Sequence, residues 1–241
     1  PASGVWNAGG MRALPVLDQP HDTCVRRVPI FARLSPDQQD AVGSFARPVA
    51  LAAGELLHRA GEPVGQLFVV HTGSVKLVHT APSGRTQIVR VAGPGEAVDE
   101  HAFLTGQRPD HHVEAVEDSR LCVFDHAVLA KLLATYPGIS VGMMRTLSER
   151  LADAERRLAL SALDVPARVA GYLLGLPAEG SDGTYRVRLP LAKKDIASWL
   201  ATTPESFSRA LARLERDGIV AVERDVVTLR DPDALDALAN R

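Results

Sequence analysis

The stretch LAKKDIASWLATTPESFSRALARLERD, residues 191–217, decides the fold of the C-terminal part of the chain. Within it, Ile196, Trp199 and Leu200 lie at i, i+3 and i+4, a spacing that places them on one apolar face of a helix. We predict that this helix runs from about Lys193 to Leu200. The small and polar residues that follow predict a short turn.

A second helix is predicted directly after that turn. Thr203 is a favourable N-cap, and Pro204 suits the first helical position because its missing N–H has no helical partner there. Glu205, Ser208 and Arg209 share one face of this helix at i, i+3 and i+4. A different face is apolar and carries Phe207, Ala210, Leu211 and Leu214.

The polar face has the chemistry needed to read base edges in double-stranded DNA. A recognition helix places its N-terminal residues in the major groove. There, Arg209 could donate two hydrogen bonds to guanine, Glu205 could accept from cytosine, and Ser208 could do either. The alternative is a solvated helix with an internal ion pair between Glu205 and Arg209. These residues alone leave both interpretations open.

The segment Pro190 to Arg230 resembles the C-terminal winged helix-turn-helix of the Crp/Fnr family of bacterial transcription regulators. The run Glu205-Ser206-Phe207-Ser208-Arg209 is similar to the Glu-x-x-Ser-Arg reading pattern of the Fnr branch, whereas the cyclic-AMP-receptor branch has Arg where this chain has Pro204. The resemblance implies base reading by Glu205, Ser208 and Arg209 at a palindromic site with half-sites similar to TTGAT. Ala192 departs from the pattern, because the family often has Thr or Ser as this cap.

The charge of the chain provides no general attraction to nucleic acid. The 241 residues carry a formal net charge of -2, and residues 165–241 contain eleven Lys and Arg against eleven Asp and Glu. Contacts with the DNA backbone must therefore come from locally placed side chains. By their placement, the expected ones are Lys193, Lys194, Thr203 and Arg213.

Residues 46–126 show short apolar runs separated by turn signals about every 8–12 residues, a spacing typical of a β-sandwich or barrel. The glycine-punctuated pattern from Gly54-Glu55 to Gly73-Ser74 resembles the cyclic-nucleotide-binding β-roll. The predicted strands are Pro48–Leu51, Glu55–His58, Gln66–His71, Ser74–His79, Gln87–Val91, His112–Val116 and Leu121–Phe124.

A heptad seam follows the β-rich region. Its apolar positions alternate at spacings of three and four: Met144, Leu147, Leu151, Ala154 and Leu158. Charged residues flank this narrow stripe on both sides, which favours a two-stranded coiled coil over a single buried helix. The family uses such a helix for dimerisation, and a palindromic DNA site requires a two-fold symmetric protein. We therefore expect a homodimer.

These patterns together predict an α+β protein with an N-terminal β-roll, a long coiled-coil dimerisation helix and a C-terminal winged helix-turn-helix. The expected divisions are a flexible tail over 1–20, a sensor domain over 21–137, the helix over 138–164 and the DNA-binding domain over 165–241. No apolar run reaches the length of a membrane span and no signal peptide is visible. We expect a cytoplasmic regulator, either activator or repressor, with RNA polymerase as its implied partner.

An enzyme of the cupin type is the remote alternative. It would need a His-x-His motif on its barrel strands, and this region offers only the adjacent pair His111-His112. Successive side chains of a strand point to opposite faces, so at most one of these two can face any pocket. We expect His58, His71 and His79 to lie at strand ends or to face solvent.

A cyclic nucleotide or another small molecule is one candidate signal. The family's phosphate cassette is Gly-Glu followed by Arg-Ser or Arg-Thr, and Gly95, Glu96 and Arg108 are the candidate pocket residues here. However, Arg108 is followed by Pro109, which has no N–H for a phosphate, and by Asp110, which repels one. The sequence thus disfavours cyclic-nucleotide binding.

The two cysteines are the other candidate sensor. A cubane iron–sulfur cluster held by one chain needs four thiolates, and this chain has only Cys24 and Cys122. Resemblance to Fnr implies that they lie close in space, and some Fnr-like proteins with two such cysteines look like thiol–disulfide switches. Alternatively, Cys122 is simply a small buried hydrophobe.

A soft-metal site is a further alternative for the same cysteines. His21, Cys24 and Cys122 would supply three ligands, with a fourth from His101, Asp99 or Glu100.

Overall fold

The structure is a computed structural model that describes residues 24–160, 162–180 and 185–240. Two compact units divide the chain, the first ending at Leu151 and the second beginning at Ala152. The predicted tail and His21 lie outside the described residues. The predicted α+β class is confirmed, because a β-rich unit is followed by a long helix and a helix-turn-helix. The predicted domain limits stay a prediction.

The first unit contains two four-stranded antiparallel sheets. One has the strand order β1-β8-β3-β6, and the other has the order β2-β7-β4-β5. The strands are β1 (Arg47–Leu51), β2 (Leu56–His58), β3 (Gln66–Thr72), β4 (Val75–Thr80), β5 (Thr86–Ala92), β6 (Ala97–Val98), β7 (His111–Ala115) and β8 (Ser119–Asp125). All seven predicted strands are present, and only the two-residue β6 was not predicted.

The apolar run of β3 explains why its sheet is covered on both faces. Leu67 and Val69 belong to a core shared with helices, whereas Phe68 and Val70 belong to a second core shared with the other sheet. Because side chains alternate across a strand, four consecutive apolar residues supply two cores at once. The same alternation on β8 places Cys122 in the helix-side core.

The helices of the first unit are short except for the last. They are α1 (Cys24–Arg27), a 3-10 turn (Pro29–Phe31), α2 (Pro36–Gly43), α3 (Glu100–Thr105), α4 (His126–Thr135) and α5 (Pro137–Leu160), of which α5 continues past Leu151 into the second unit. Ser35 and Gln38 form a capping box at the start of α2, as Ser35-Pro36 in the sequence suggests. Helix α5 carries Gly142 against Ile30, where an added Cβ would lie 2.5 Å from the Ile30 carbonyl oxygen.

Helix α5 exposes the predicted seam. Met144, Leu151 and Leu158 are 59%, 61% and 73% exposed, and Leu147 and Ala154 are exposed as well. Within the described residues, no single helix is both long and apolar enough to cross a bilayer. Only α4 and α5 taken together, which are bent by 110° at their junction, pass that test of length and composition.

The second unit is built around one apolar core. Its elements are α6 (Val165–Leu174), β9 (Ala178–Glu179), β10 (Tyr185–Arg188), α7 (Lys193–Trp199), α8 (Pro204–Arg216), β11 (Val220–Glu223), β12 (Val226–Leu229) and α9 (Pro232–Ala239). The strands form one antiparallel sheet in the order β11-β12-β10-β9. Strands β11 and β12 form a hairpin, as the resemblance to a winged helix-turn-helix implies, and the turn between them contains Arg224 at φ +58°.

Candidate nucleic-acid interface and sensor sites

The start of α8 is fixed by the residues that the sequence indicates. The hydroxyl oxygen of Thr203 accepts a hydrogen bond from the backbone N–H of Ser206 at 3.2 Å, and Pro204 occupies the first helical turn. Ala201 adopts a left-handed backbone conformation at φ +51° in the turn that joins α7 to α8. This geometry is a helix-turn-helix with a capped second helix.

The apolar face of α8 orients its polar face toward solvent. Phe207 is 0% exposed and lies in the core of the second unit with Ala210, Leu211 and Leu214. Glu205, Ser208 and Arg209 are all exposed. Because the buried face cannot rotate without exposing its side chains, the polar face is held outward.

Glu205 and Arg209 on the polar face of α8 do not form an ion pair with each other. Arg209 donates a hydrogen bond from Nη2 to the hydroxyl of Ser206 at 3.0 Å and makes no close ion pair with Glu205 in the described part of the chain. The pKa of Glu205 is lowered because its carboxylate accepts hydrogen bonds from its own backbone N–H and from the Thr203 hydroxyl, with a smaller effect of Arg209. Glu205 is therefore an ionised acceptor, as contact with cytosine would require.

The residues expected to contact the DNA backbone lie on the two helices of the helix-turn-helix and at the cap of the second helix. Lys193 and Lys194 open α7 and are exposed, as are Thr203 and Arg213. Arg213 lies 3.7 Å from the carboxylate of Asp217 through its Nε, a separation that leaves its other nitrogens available. Ala192 caps α7 without any side-chain hydrogen bond, in line with the departure noted in the sequence. The roles of these side chains in DNA contact stay predictions.

Two family models match the two parts of the chain. The cyclic nucleotide-binding domain matches residues 48–136, and the Crp-like helix-turn-helix domain matches residues 167–238. The chain belongs to the Crp/Fnr family. The predicted family and the expectation that the protein is not an enzyme are thereby confirmed, since the matched relatives are named as regulatory proteins and, in one case, as a global transcriptional regulator.

Relatives of the Crp/Fnr family match over most of the chain. The anaerobic regulatory protein of Pasteurella multocida is 29% identical over 83% of this chain and 73% of its own length. A CRP-like cAMP-activated global transcriptional regulator of Mycobacterium tuberculosis is 28% identical over 89% of this chain and 97% of its own length. Among solved structures, the catabolite activator protein of Thermus thermophilus is 25% identical, with a TM-score of 0.51 over 88% of this chain and 98% of that one.

The predicted effector residues are engaged in separate local contacts in this Crp/Fnr protein. Gly95 adopts φ +88° and donates its N–H to the Val70 carbonyl oxygen. Glu96 accepts from the N–H of Gly93 at 2.8 Å. Arg108 is exposed and donates to the carbonyl oxygen of Gly61 at 3.2 Å. Within the described residues, Arg108 therefore bonds to the backbone of a neighbouring turn rather than to Glu96.

A buried cluster that the sequence did not reveal lies elsewhere in the β-roll. His58 Nε2 is 2.8 Å from one carboxylate oxygen of Asp99, and His111 Nε2 is 3.1 Å from the other. The side chains of His58 and Asp99 are 0% exposed and that of His111 is 18% exposed. His58 does end β2, as expected, but its ring stacks on Phe68 beneath the second sheet. The alternative expectation, that His58 faces solvent, is wrong.

Pairing with the two rings controls the ionisation of Asp99. Burial opposes ionisation, yet hydrogen bonds from His111 and His58 outweigh it and lower the pKa of Asp99 to about 2. The pKa of His111 is raised, because hydrogen bonds and charges of Asp99 and Asp110 outweigh the opposing effect of burial. His112, the next residue on β7, has a lowered pKa through burial and does not join the cluster. The expectation that only one of the adjacent pair can face a pocket agrees with this arrangement.

Asp99 is followed directly by a buried ion-pair network. Glu100 is 5% exposed and forms an ion pair with Arg150 of α5. Arg150 also donates from Nη2 to the carbonyl oxygen of Ala97 at 2.8 Å. Arg90 of β5 lies 3.7 Å from the other oxygen of Glu100 and donates to the same Ala97 carbonyl. Burial lowers the pKa of Arg90, with the neighbouring Arg150 acting in the same direction.

Cys122 is buried at 6% exposure and forms a disulfide bond. The chain contains one other cysteine, Cys24. Cys24 lies in α1, but its side chain is outside the described part of the structure, as is the whole of His21. Asp99, expected as a possible fourth ligand of a cysteine metal site, is instead held between His58 and His111.

Proposed function

We propose that this Crp/Fnr-family chain is a homodimeric transcription regulator that binds a palindromic Fnr-type site and responds to the oxidation state of Cys122. The observation that carries the DNA-binding part is the exposed face of α8, with Glu205, Ser208 and Arg209 held outward by a buried apolar face. Three side chains able to read bases stand together on the helix that the family uses for this purpose.

The exposed seam of α5 supports the homodimer. Met144, Leu151 and Leu158 lie along one stripe and are each more than half exposed. Burying such a stripe against a second copy removes apolar area from water, which favours association. Two copies related by a two-fold axis would present two α8 helices to two half-sites of a palindrome.

The residues of α8 favour a site of the Fnr type over one of the Crp type. The chain has Pro204 directly before Glu205, and its Ser208-Arg209 completes the Glu-x-x-Ser-Arg pattern. The relatives themselves differ in type, since they include an anaerobic regulatory protein and a cAMP-activated transcriptional regulator. Response to a cyclic nucleotide is the less favoured alternative, because Arg108 is followed by Pro109 and Asp110 and already bonds to Gly61.

The location of Cys122 supports control by thiol oxidation. Its side chain lies in the helix-side core of the β-roll, to which Ile139 and Met143 at the start of α5 also contribute. Two thiols of the chain would lose two electrons and two protons on forming the disulfide, and a small disulfide such as oxidised glutathione would be reduced to two thiols. A change in packing around Cys122 would therefore change the packing of Ile139 and Met143 at the start of the proposed dimerisation helix.

The test is binding of the full-length protein to a fluorescent duplex with two TTGAT half-sites, at one fixed salt concentration because affinity depends on salt. Reduced, oxidised and chelator-treated protein would be compared, with free thiols and bound metal counted in the same samples. We expect specific binding whose affinity differs between reduced and oxidised protein.

The variants Cys24→Ser and Cys122→Ser should each bind with one affinity whatever the thiol reagent. Equal affinity of reduced and oxidised wild type would remove the redox part of the proposal. If the reduced, oxidised and chelator-treated proteins all bind this duplex no better than a scrambled one, the proposal of an Fnr-type site is wrong.

Regulation also requires contact with the transcription machinery. We propose RNA polymerase as the partner and the cytoplasm as the location, as for a regulator that acts on DNA. Transcription in vitro from a promoter carrying the palindrome should change on addition of the protein, in a direction that tells activator from repressor.

A further inference from the structure

We propose that His58, Asp99 and His111 form a binding site for a divalent first-row transition-metal ion. Each residue offers one ligand atom, and these atoms all lie within 4.8 Å of one another. Within residues 24–160, 162–180 and 185–240, this is the one group of three or more His, Cys, Asp and Glu side chains that converge in this way. Two imidazoles and one carboxylate are a ligand set that suits such ions.

Three different elements bring the ligands together. His58 ends β2 and His111 begins β7, and these two strands pair in the second sheet. Asp99 lies between β6 and α3 with a left-handed backbone conformation at φ +65°. It makes no side-chain cap for α3, because both of its carboxylate oxygens face the two rings. The carboxylate is thus committed to the cluster rather than to its own helix.

The far side of each ring has the support that a ligating histidine needs. Nδ1 of His58 lies 3.2 Å from the carbonyl oxygen of Arg59, and Nδ1 of His111 lies 3.2 Å from a carboxylate oxygen of Asp110. A histidine that binds a metal commonly donates its other N–H to a carbonyl or carboxylate oxygen. With Nδ1–H directed to these oxygens, both Nε2 lone pairs converge on Asp99.

Without an ion, the same contacts cannot all be made by neutral rings. A neutral imidazole has one N–H to donate, yet both nitrogens of His58 and of His111 face oxygen acceptors. Doubly protonated rings that share one carboxylate would account for these contacts, and so would a cation in the place of the two Nε2 protons. The first arrangement is the competing explanation that the experiment must exclude.

The distances fit an ion with short bonds after a small expansion. The Nε2–oxygen distances are 2.8 and 3.1 Å. Ligand atoms bonded at about 2.0–2.1 Å in a tetrahedral site are about 3.3 Å apart. The two nitrogen–oxygen pairs, which involve different oxygens of Asp99, would each move apart by a few tenths of an ångström, and no two of the three ligand atoms start more than 4.8 Å apart. Three protein ligands also leave a coordination position for water on the part-exposed His111 side.

This site is distinct from the cysteines. Phe68, which stacks on His58, belongs to the core between the two sheets. Cys122 belongs to the core on the opposite, helix-covered side of the first sheet. A thiolate on that side cannot reach the cluster through the sheet. Occupancy by an ion should therefore not depend on Cys122.

The experiment uses full-length protein purified without a polyhistidine tag and stripped with a chelator that is then removed. Zn²⁺ binding would be measured by competition with a chromophoric chelator, and Co²⁺ would be added separately to record the visible spectrum. We expect one ion per chain in the wild type and in the double variant Cys24→Ser/Cys122→Ser. The Co²⁺ spectrum should show nitrogen and oxygen ligation, without a thiolate charge-transfer band.

Matched variants separate ligand loss from general damage. His111→Gln removes a ligand but keeps an amide N–H for Asp99, whereas His112→Gln changes the next residue of the same strand. Loss of outer-sphere partners alone costs about 10–100-fold in metal affinity, so losing a direct ligand should cost at least that much. His112→Gln should bind as the wild type does. Circular dichroism and thermal melting of both variants would check that they fold.

Several results would overturn the site. They are no saturable Zn²⁺ binding by folded wild type, equal affinity in His111→Gln and wild type, or a thiolate band that places Co²⁺ at a cysteine. Proton-detected signals from two doubly protonated rings that persist with excess Zn²⁺ would favour the competing explanation. None of these results bears on DNA binding through α8, so the two proposals can fail separately.

Discussion

Arg150 on the long helix forms an ion pair with Glu100, the residue that directly follows Asp99 of the His–Asp–His cluster. The same guanidinium also donates to the carbonyl oxygen of Ala97, so Arg150 holds the chain on both sides of Asp99. If Asp99 moved on binding an ion, Glu100 would move with it, because the two residues are neighbours in the chain. The β-roll is thereby joined to the helix that carries the proposed dimer seam, so a signal sensed in the β-roll of the proposed regulator would have a physical connection to that seam.

Removing the carboxylate of Glu100 should destabilise the first unit. Glu100→Gln leaves Arg90 and Arg150 close together without the carboxylate that lies beside both, and their side chains are only 18% and 19% exposed. Breaking a buried ion pair by removing one partner costs about 3–5 kcal/mol. Urea unfolding of the variant should show a decrease of this size in the free energy of unfolding.

The control for that prediction is Glu149→Gln, one residue before Arg150 and exposed on the same helix. A surface substitution of this kind should change the free energy of unfolding by no more than about 0.5 kcal/mol. A comparable decrease in both variants would mean that charge on α5, rather than the buried pair, sets the stability.

Truncating Arg209 should weaken DNA binding without affecting the fold. A bidentate contact with guanine contributes about 1–3 kcal/mol of discrimination, so Arg209→Ala should lose about 5- to 150-fold in affinity for the palindrome and relax its preference at one base pair. Arg209→Lys should recover only part of this, because an ammonium lacks the guanidinium fork. The thermal midpoint should be unchanged, since Arg209 is exposed.

Arg216→Ala is the matched control, because Arg216 is also exposed on α8 but in its last turn. Fluorescence anisotropy with duplexes altered at single positions would compare the two variants. Should Arg209→Ala bind every duplex as the wild type does, the reading face is assigned to the wrong side of α8.

Lys193 and Lys194 at the start of α7 should contribute to DNA affinity by neutralising phosphates. Their replacement should therefore change the salt dependence of the affinity without changing the preference for particular bases. Replacing Lys193 or Lys194 by Gln should reduce the slope of log affinity against log salt by about 0.9 for each phosphate that the variant no longer neutralises, or about 1.8 for a symmetric dimer. Lys131→Gln, an exposed lysine of α4, should leave the slope unchanged. An unchanged slope in the α7 variants would show that their charges do not touch phosphate.

The helix-turn-helix was predictable from the sequence because its signals are local. Thr203, Pro204 and the spacing of Phe207 and Leu211 mark a helix start and a buried face within a few residues. The strands were predictable for the same reason, since alternation and turn glycines repeat at short range. The two-residue β6 escaped prediction because Ala97–Val98 is too short for a periodic pattern.

The His–Asp–His cluster could not be predicted in the same way. His58, Asp99 and His111 are separated by 41 and 12 residues and meet only through strand pairing and the turn after β6. No fixed spacing in the sequence joins these three residues. The one local feature was Asp99, a carboxylate directly after the apolar pair Ala97-Val98. Its partners His58 and His111 can be identified only when the pairing of the strands is known.

A charge placed on the seam of α5 should separate the dimer. Leu151 is 61% exposed in the single chain, and a Lys at a core seam position would be buried against its own symmetry mate. We expect Leu151→Lys to sediment as a monomer at concentrations where the wild type is a dimer. Its affinity for the palindrome should fall toward that for a single half-site, because the second helix is no longer tethered.

Leu104→Lys supplies the control, since Leu104 is 51% exposed on α3 and lies outside the seam. It should sediment and bind DNA as the wild type does. If Leu151→Lys stays dimeric while Leu104→Lys dissociates, the dimer forms through the β-roll surface and the exposed stripe of α5 has another partner. If neither dissociates, Leu158→Lys, at the most exposed seam position, would decide whether the stripe takes part at all.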